Sequence, residues 1–350
     1  MKSNKKTNRL YTLKNLRYHV SMKSLYLKIY LMIVFFFGTV GMGFALPACS
    51  ETKIDGWHRC MGTVIENGDT FHGIFINNEK NGLGKYTWKN GDTFSGNYTN
   101  DEKNGAGKYS YANGEIFEGT LLNGIAHGTA VYTYLDGSKF MGEYREGKKN
   151  GLGKMIFTDG SLFEGLYFDG VRSGFGLAKF SNGDKYEGHW ADNKRMGQGV
   201  YTWENGDIYA GGWEQDKKFG HGSLSYINGS YFFGNFENGL ENGWGVSLTE
   251  NDYMTLCEYA FGNAKECVNP ETEKRFIVLE SYFRLRSEND RKNIQRKLKN
   301  IGFYNSNVDG LWGRDSFAAV LKYSFNKFRN IELSEPLFAD RVLSSLLAFN

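Results

Sequence analysis

The chain has 350 residues with 42 Lys+Arg against 39 Asp+Glu, a net charge of +3, and it carries 45 glycines, 16% aromatic side chains and only three prolines. That length allows two or three domains. The charge is split: residues 1–50 hold eight basic groups and no acid, 51–274 hold 21 basic and 31 acidic groups, and 275–350 hold 13 and 8. A middle region at −10 argues against nucleic acid or anionic lipid as its partner.

In chain order, a basic stretch leads into Ile29 to Leu46, an uncharged apolar run followed by "PACS". Residues 1–48 read as an export signal ending near Ala48. An uncleaved membrane anchor is the alternative, because 18 apolar residues suffice to span a bilayer. Met22 opens a signal of ordinary proportions, so translation starts at Met1 or Met22. Either reading places the rest of the chain in the periplasm, free or anchored at the inner membrane, and confines membrane contact to this segment.

The four cysteines, Cys49, Cys60, Cys257 and Cys267, all follow the signal and bracket the middle of the chain. An even count in an exported chain predicts two local disulfides, one within an N-terminal cap (49–66) and one within a C-terminal cap and linker helix (249–287). Lipidation of Cys49 at "LPAC" would leave Cys60 without a partner, and Pro47 fits a lipoprotein box poorly.

Between the caps, residues 67–248 are an array. Gly68, Gly91, Gly114, Gly137, Gly160, Gly183, Gly206 and Gly229 recur every 23 residues, giving eight units. Aromatics hold the same phase from Phe71 to Phe232. Phe71, Gly73 and Phe75 alternate on one face of an extended segment, as do Gly84, Tyr86 and Trp88. Each unit is therefore a hairpin with one apolar face, and about 16 strands are expected.

Parity fixes the turn. A two-residue loop at Asn90-Gly91 would set Trp88 and Phe94 on opposite faces, whereas an odd loop closing with glycine in the left-handed region sets them together. The odd loop is expected. Glycine at alternate positions then lets rings lie over bare backbone. The fold class is mainly β: an elongated single-layer antiparallel meander of hairpins, followed by a small three-helix domain.

The units, for example "FHGIF…NGLG" and "YEGHW…MGQG", resemble the MORN repeat. Ala130 stands for one glycine and Leu121 for one aromatic.

After Cys267 the pattern turns helical. Arg275 to Arg286 is apolar enough to dock on the sheet, and "SEND" from Ser287 fits a capping box. The following helix places Ile294, Leu298 and Ile301 on one face and stops at Gly302. Further helices are expected from about Asp315 to Phe325 and from Ser334, with Pro336 in its first turn, to about Phe349. Over roughly 290–325, "IQRKLKNIGFYNSNVDGLWGRDSFAAV" resembles the peptidoglycan-binding-like domain, which is assigned to 288–350. That resemblance implies a wall-facing groove lined by Phe303, Tyr304, Asp309, Trp312 and Arg314. The plain packing alternative makes the aromatics core, with Trp312 over Leu298 and Ile301.

No catalytic constellation is present. The six histidines are scattered, "GLGK" lacks the hydroxyl of a phosphate loop, and no nucleophile elbow occurs. Neither an enzyme, a cofactor nor a metal site is expected. The reading is a cell-envelope scaffold whose array contacts a protein partner or itself, with peptidoglycan as a further ligand. The alternatives are carbohydrate recognition by exposed Trp88, Trp190, Trp203 and Trp213, and an accessory role for a cell-wall hydrolase.

Overall fold

The computed structural model describes residues 46–50, 56–249, 254–268, 272, 274–304, 306–328, 333 and 335–348. The export signal or anchor lies almost wholly outside the described residues. The fold is mainly β, a nineteen-strand antiparallel open sheet followed by four helices. The chain divides into two compact units, up to Lys194 and from Arg195 onward. Each is described by itself.

The first unit opens with β1 (Cys60–Glu66), β2 (Asp69–Ile76), β3 (Glu79–Thr87), β4 (Thr93–Thr99) and β5 (Glu102–Ser110). Each strand pairs with the next, and Gly73 faces Gly84 as Gly84 faces Gly96. The turn between β3 and β4 is the expected odd one. Gly91 N donates to Trp88 O at 2.9 Å, Trp88 N donates to Asp92 O at 3.0 Å, and Gly91 has φ +93°. Tyr86 pairs with Phe94, so Trp88 and Phe94 share a face.

The opposite edge is built differently. Asn77-Asn78 and Asn100-Asp101 are two-residue turns with positive φ at both positions, whose twist matches that of the strands they join. A bulge follows: Gly73 pairs with Gly84 but Phe75 pairs with Lys80, and Gly82 within it has φ +116°. Both edges are laced to their neighbours. Asp92 Oδ1 accepts from Ala112 N at 2.7 Å, and Asp101 Oδ1 accepts from Lys80 N at 2.9 Å.

One face, called the front, holds the buried rings Phe71, Phe94, Phe117, Phe140 and Phe163. Each lies over paired backbone. A Cβ built on Gly84 would sit 2.4 Å from Phe71 Cζ, and one on Gly107 would sit 2.2 Å from Phe94 Cζ. Each ring is gripped edge-on by a second row. Phe140, for example, meets Tyr144 at 5.5 Å and Tyr167 at 5.1 Å between centroids.

The second unit continues the pattern to β16 (Tyr231–Glu237), β17 (Leu240–Leu248), β18 (Met254–Ala260) and β19 (Asn263–Val268). The strand number exceeds 16 because the two cap segments join the meander instead of covering it. Disulfides Cys49–Cys60 and Cys257–Cys267 close these caps, the latter directly across β18 and β19.

Four helices follow, the expected linker helix and the three of the helical domain: α1 (Lys274–Arg284), α2 (Glu288–Asn300), α3 (Arg314–Phe328) and α4 (Pro336–Leu347). α2 begins as expected, with Ser287 Oγ accepting from Asp290 N at 3.1 Å, and it ends at Gly302, φ +79°. The helices share one core with Phe233, Val246 and Leu256. These three pair across β16–β18 on the face opposite the front. Where earlier units place His72, Lys85 or Glu118 on that face, the last hairpins place apolar side chains. That switch makes the floor on which the helices sit. α1 supplies Phe276, Leu279 and Phe283 to the same core, so it is an integral wall of the module as well as a connection.

Candidate binding face

Beyond the buried rows, the front face carries a third aromatic row that stays half-exposed: Tyr86, Trp88, Tyr109, Tyr111, Tyr132 and Tyr134 in the first unit. Alternation along each strand and the odd turn place them there. Trp88 stacks on Tyr109 at 5.4 Å and 16°, and Tyr109 on Tyr111 at 5.4 Å and 11°. Carboxylates border this row. Tyr86 Oη donates to Asp69 at 2.8 Å, and Tyr132 Oη donates to Glu115 at 2.9 Å. Burial raises the Tyr109 hydroxyl to about 12 and holds Tyr98, Tyr144 and Tyr167 far above the ordinary phenol value. Tyr132 is raised by burial first and then by its bond to Glu115.

A row of cations runs along the other side, unnoticed in the sequence reading although Lys80, Lys103, Lys149, Arg172, Arg195 and Lys218 recur at the repeat period. Their stems cross the buried rings, and their heads sit over aromatic faces. Lys103 Nζ is 4.5 Å from the Trp88 centroid and 5.6 Å from Phe94; Lys149 Nζ is 4.5 Å from Phe140 and 5.3 Å from Tyr134. Lost hydration under the rings lowers Lys103, Lys149 and Lys218 from the ordinary amine value, and the neighbouring Lys80 charge adds to the effect at Lys103.

The four tryptophans divide. Trp88 and Trp203 are half-exposed. Trp190 and Trp213 are 5% and 6% exposed, which corrects the expectation that all four stand open. They occupy the gripping positions filled elsewhere by Tyr98 or Tyr144. Trp190 is wedged 5.2 Å from both Phe163 and Tyr186, and Arg172 covers it at 4.5 Å. Arg195 covers Trp213 at 4.3 Å.

Of the C-terminal candidates, Tyr304 is buried, Phe303 and Trp312 are partly buried and Asp309 is exposed. Gln295, fully buried, donates to Leu311 O at 2.8 Å and Asp309 Oδ1 at 3.1 Å, and accepts from Gly310 N at 2.7 Å. Tyr304 is buried and donates to Asn307 O at 2.8 Å. Phe303 is partly buried against the helical core. Trp312 packs on Phe283 at 4.9 Å and Phe276 at 5.8 Å, against the core that also holds Leu298 and Ile301. Both rings belong to α1. The Arg314 side chain lies outside the described residues. Among the described residues, no cluster of His, Cys, Asp and Glu could hold a metal ion, and no helix is long and apolar enough to cross a membrane.

Residues 71–93, 94–116, 117–139, 140–162, 163–185, 186–208 and 209–231 match the MORN repeat, as seven consecutive copies. The unit beginning at Phe232 lies outside that match. No curated protein matches the chain. Similar solved structures include the SAS-4 (dCPAP) TCP domain of Drosophila melanogaster in complex with a proline-rich motif of Ana2. It is 14% identical, with 56% of this chain and 99% of that one covered, at TM-score 0.30. The TCP10 domain of Danio rerio CPAP is 10% identical over 59% and 99%, at TM-score 0.35. BamB from Moraxella catarrhalis is 9% identical over 56% and 93%, at TM-score 0.15. Likenesses at these scores carry no argument about what this chain does.

Proposed function

We propose that this MORN-repeat protein is a non-catalytic binding scaffold of the cell envelope, whose front face receives a segment of a partner protein. The observation that carries this reading is the half-exposed aromatic row beside carboxylates, continued repeat after repeat on a backbone fixed by buried rings. Regular rows of this kind suit an extended ligand better than a small molecule undergoing chemistry. Carbohydrate stacking is less supported, because Trp88, Tyr109 and Tyr111 cover one another's faces. Export to the periplasm, or anchoring at the inner membrane, follows from the N-terminal segment. Wall attachment through the helical module rests on its sequence resemblance alone, and targeting of a cell-wall hydrolase rests on that in turn.

The test is cross-linking and copurification from the native envelope with the full chain. A fragment 275–350 would be unsuitable, since its core includes Phe233, Val246 and Leu256. The expected result is a protein recovered with the wild type and lost with Trp88→Ser/Tyr111→Ser. Equal recovery from both would remove the front face from the reading. Sedimentation of the full chain with purified sacculi tests the wall role, and a chain left in the supernatant refutes it.

A further inference from the structure

The cation row has two interruptions within the array, and each coincides with an open pocket. The row is defined by register: Lys80 lies opposite Phe75, Lys103 opposite Tyr98, Lys149 opposite Tyr144, Arg172 opposite Tyr167 and Lys218 opposite Trp213. The same register places Ala126 opposite Leu121 in the first unit and Glu241 opposite Phe236 in the second. Ala264, opposite Tyr259, belongs to the terminal hairpin, beyond which no further repeat supplies rings.

The occupied positions define which rings receive the cation. Lys103 covers Trp88, Phe94 and Tyr109; Lys149 covers Tyr134, Phe140 and Tyr167. Counted from Ala126 by the same offsets, the receiving rings are Tyr111, Phe117, Tyr132 and Tyr144. All four line an open pocket of about 420 Å³ that also reaches Ala126 itself. Counted from Glu241, the corresponding residues are Tyr226, Phe232, Ser247 and Tyr259, and all four line a second pocket of about 520 Å³ that includes Glu241. Both pockets open where a long cationic side chain is missing from its row, and each has room for one.

Charge fits the same occupant. Glu115 stands beside the first pocket, bonded to Tyr132, and Glu241 lies inside the second. The cations nearby are Lys149, held over its own rings, and Lys148, 3.7 Å from Asp169, at the first pocket, with Lys218 near Glu241 at the second. Successive cations already coexist along the row, as Lys80 and Lys103 do. Another alkylammonium or guanidinium at the missing position therefore repeats an arrangement the fold already contains.

We propose that each pocket is a binding site for a lysine or arginine side chain of the partner protein, which completes the interrupted cation row. This rests on the scaffold reading above and specifies what the front face recognises.

The test uses the full chain labelled with 3-fluorotyrosine and followed by fluorine NMR, with resonances assigned by Tyr111→Phe, Tyr132→Phe and Tyr226→Phe. The probes are N-acetyl-lysine methylamide, N-acetyl-arginine methylamide and the neutral N-acetyl-norleucine methylamide. The cationic probes are expected to shift Tyr111, Tyr132 and Tyr226 about five-fold or more strongly than norleucine at equal concentration. Ala126→Lys should abolish the response at Tyr111 and Tyr132 while sparing Tyr226, and Glu241→Lys should do the reverse. An equal response to norleucine, no response to any probe, or responses unchanged in both variants would overturn the proposal. In copurification, loss of the partner from Ala126→Lys or Glu241→Lys is expected. Full retention overturns the proposal and leaves the scaffold reading standing. Absence of any partner from the wild type counts against the scaffold reading, and the probe titration still decides the pockets.

Discussion

Gly107→Ala separates two opposed effects of one methyl group. Gly107 lies in β5 without a positive φ. Replacement by alanine there restricts the unfolded chain and, by itself, stabilises by about 0.4–1 kcal/mol. Against this, the new Cβ would stand 2.2 Å from Phe94 Cζ and 2.3 Å from Cε2, where carbon atoms in contact need roughly 3.5–4.0 Å. Phe94 cannot swing aside, being 0% exposed between Tyr109 at 4.8 Å and Tyr98 at 5.6 Å. Overpacking of this kind costs about 1–3 kcal/mol, so packing wins and the substitution is expected to destabilise by about 1–2 kcal/mol. In a Phe94→Leu background the ring tip is gone and the same change should be neutral or stabilising. Urea unfolding of the four chains, with hydrogen exchange of the β4–β5 amides as the local readout, gives the coupling. Stabilisation by Gly107→Ala alone, or an equal cost in both backgrounds, would refute the idea that rings rest on bare backbone.

Other consequences are equally open to measurement. Tyr98, Tyr144 and Tyr167 have folded-state pKa values raised by burial above the unfolded value of 10. Their contribution is complete below pH 10 and is lost as pH rises from there, because only the unfolded chain releases those protons. The share of phenolate absorbance due to these three should therefore appear with unfolding and not before it; smooth titration of all tyrosines in the folded chain would count against the burial argument. Reducing Cys257–Cys267 opens a short loop worth about 2.5–3 kcal/mol, so β18–β19 amides should exchange roughly a hundred-fold faster, and unchanged exchange would show that the hairpin needs no clasp. Gln295→Leu leaves Gly310 N without its acceptor and takes one donor each from Leu311 O and Asp309, which keep Ser316 Oγ and Leu311 N, so it should destabilise the helical module by about 1–3 kcal/mol in thermal unfolding, with a cost under about 0.5 kcal/mol contradicting the network. Trp312 Nε1 is buried without a hydrogen-bond partner, so Trp312→Phe should cost only the packing of the lost ring, about 1–2 kcal/mol; a loss above about 4 kcal/mol would mean the indole N–H is used.

The 23-residue period and the alternation inside each unit determined the meander, the single ring-bearing face and the odd turn at Asn90-Gly91, because each depends on local parity along the chain. The other edge was not legible in the same way: Asn100-Asp101 and Gln215-Asp216 make left-handed two-residue turns without glycine, and their strands carry the bulge at Gly82 and its equivalents. The cation row is visible in the sequence as a recurrence, broken at Ala126 and Glu241. What those breaks mean is not, since the rings they leave uncovered come from neighbouring strands brought together by register. The same holds for Trp190 and Trp213, which read as exposed aromatics until a ring from the adjacent hairpin closes on them. Trp312 packs on α1, which joins the core on Phe233, Val246 and Leu256. Strand pattern is a property of the chain; burial and vacancy belong to pairs of strands, and only the packed sheet decides them.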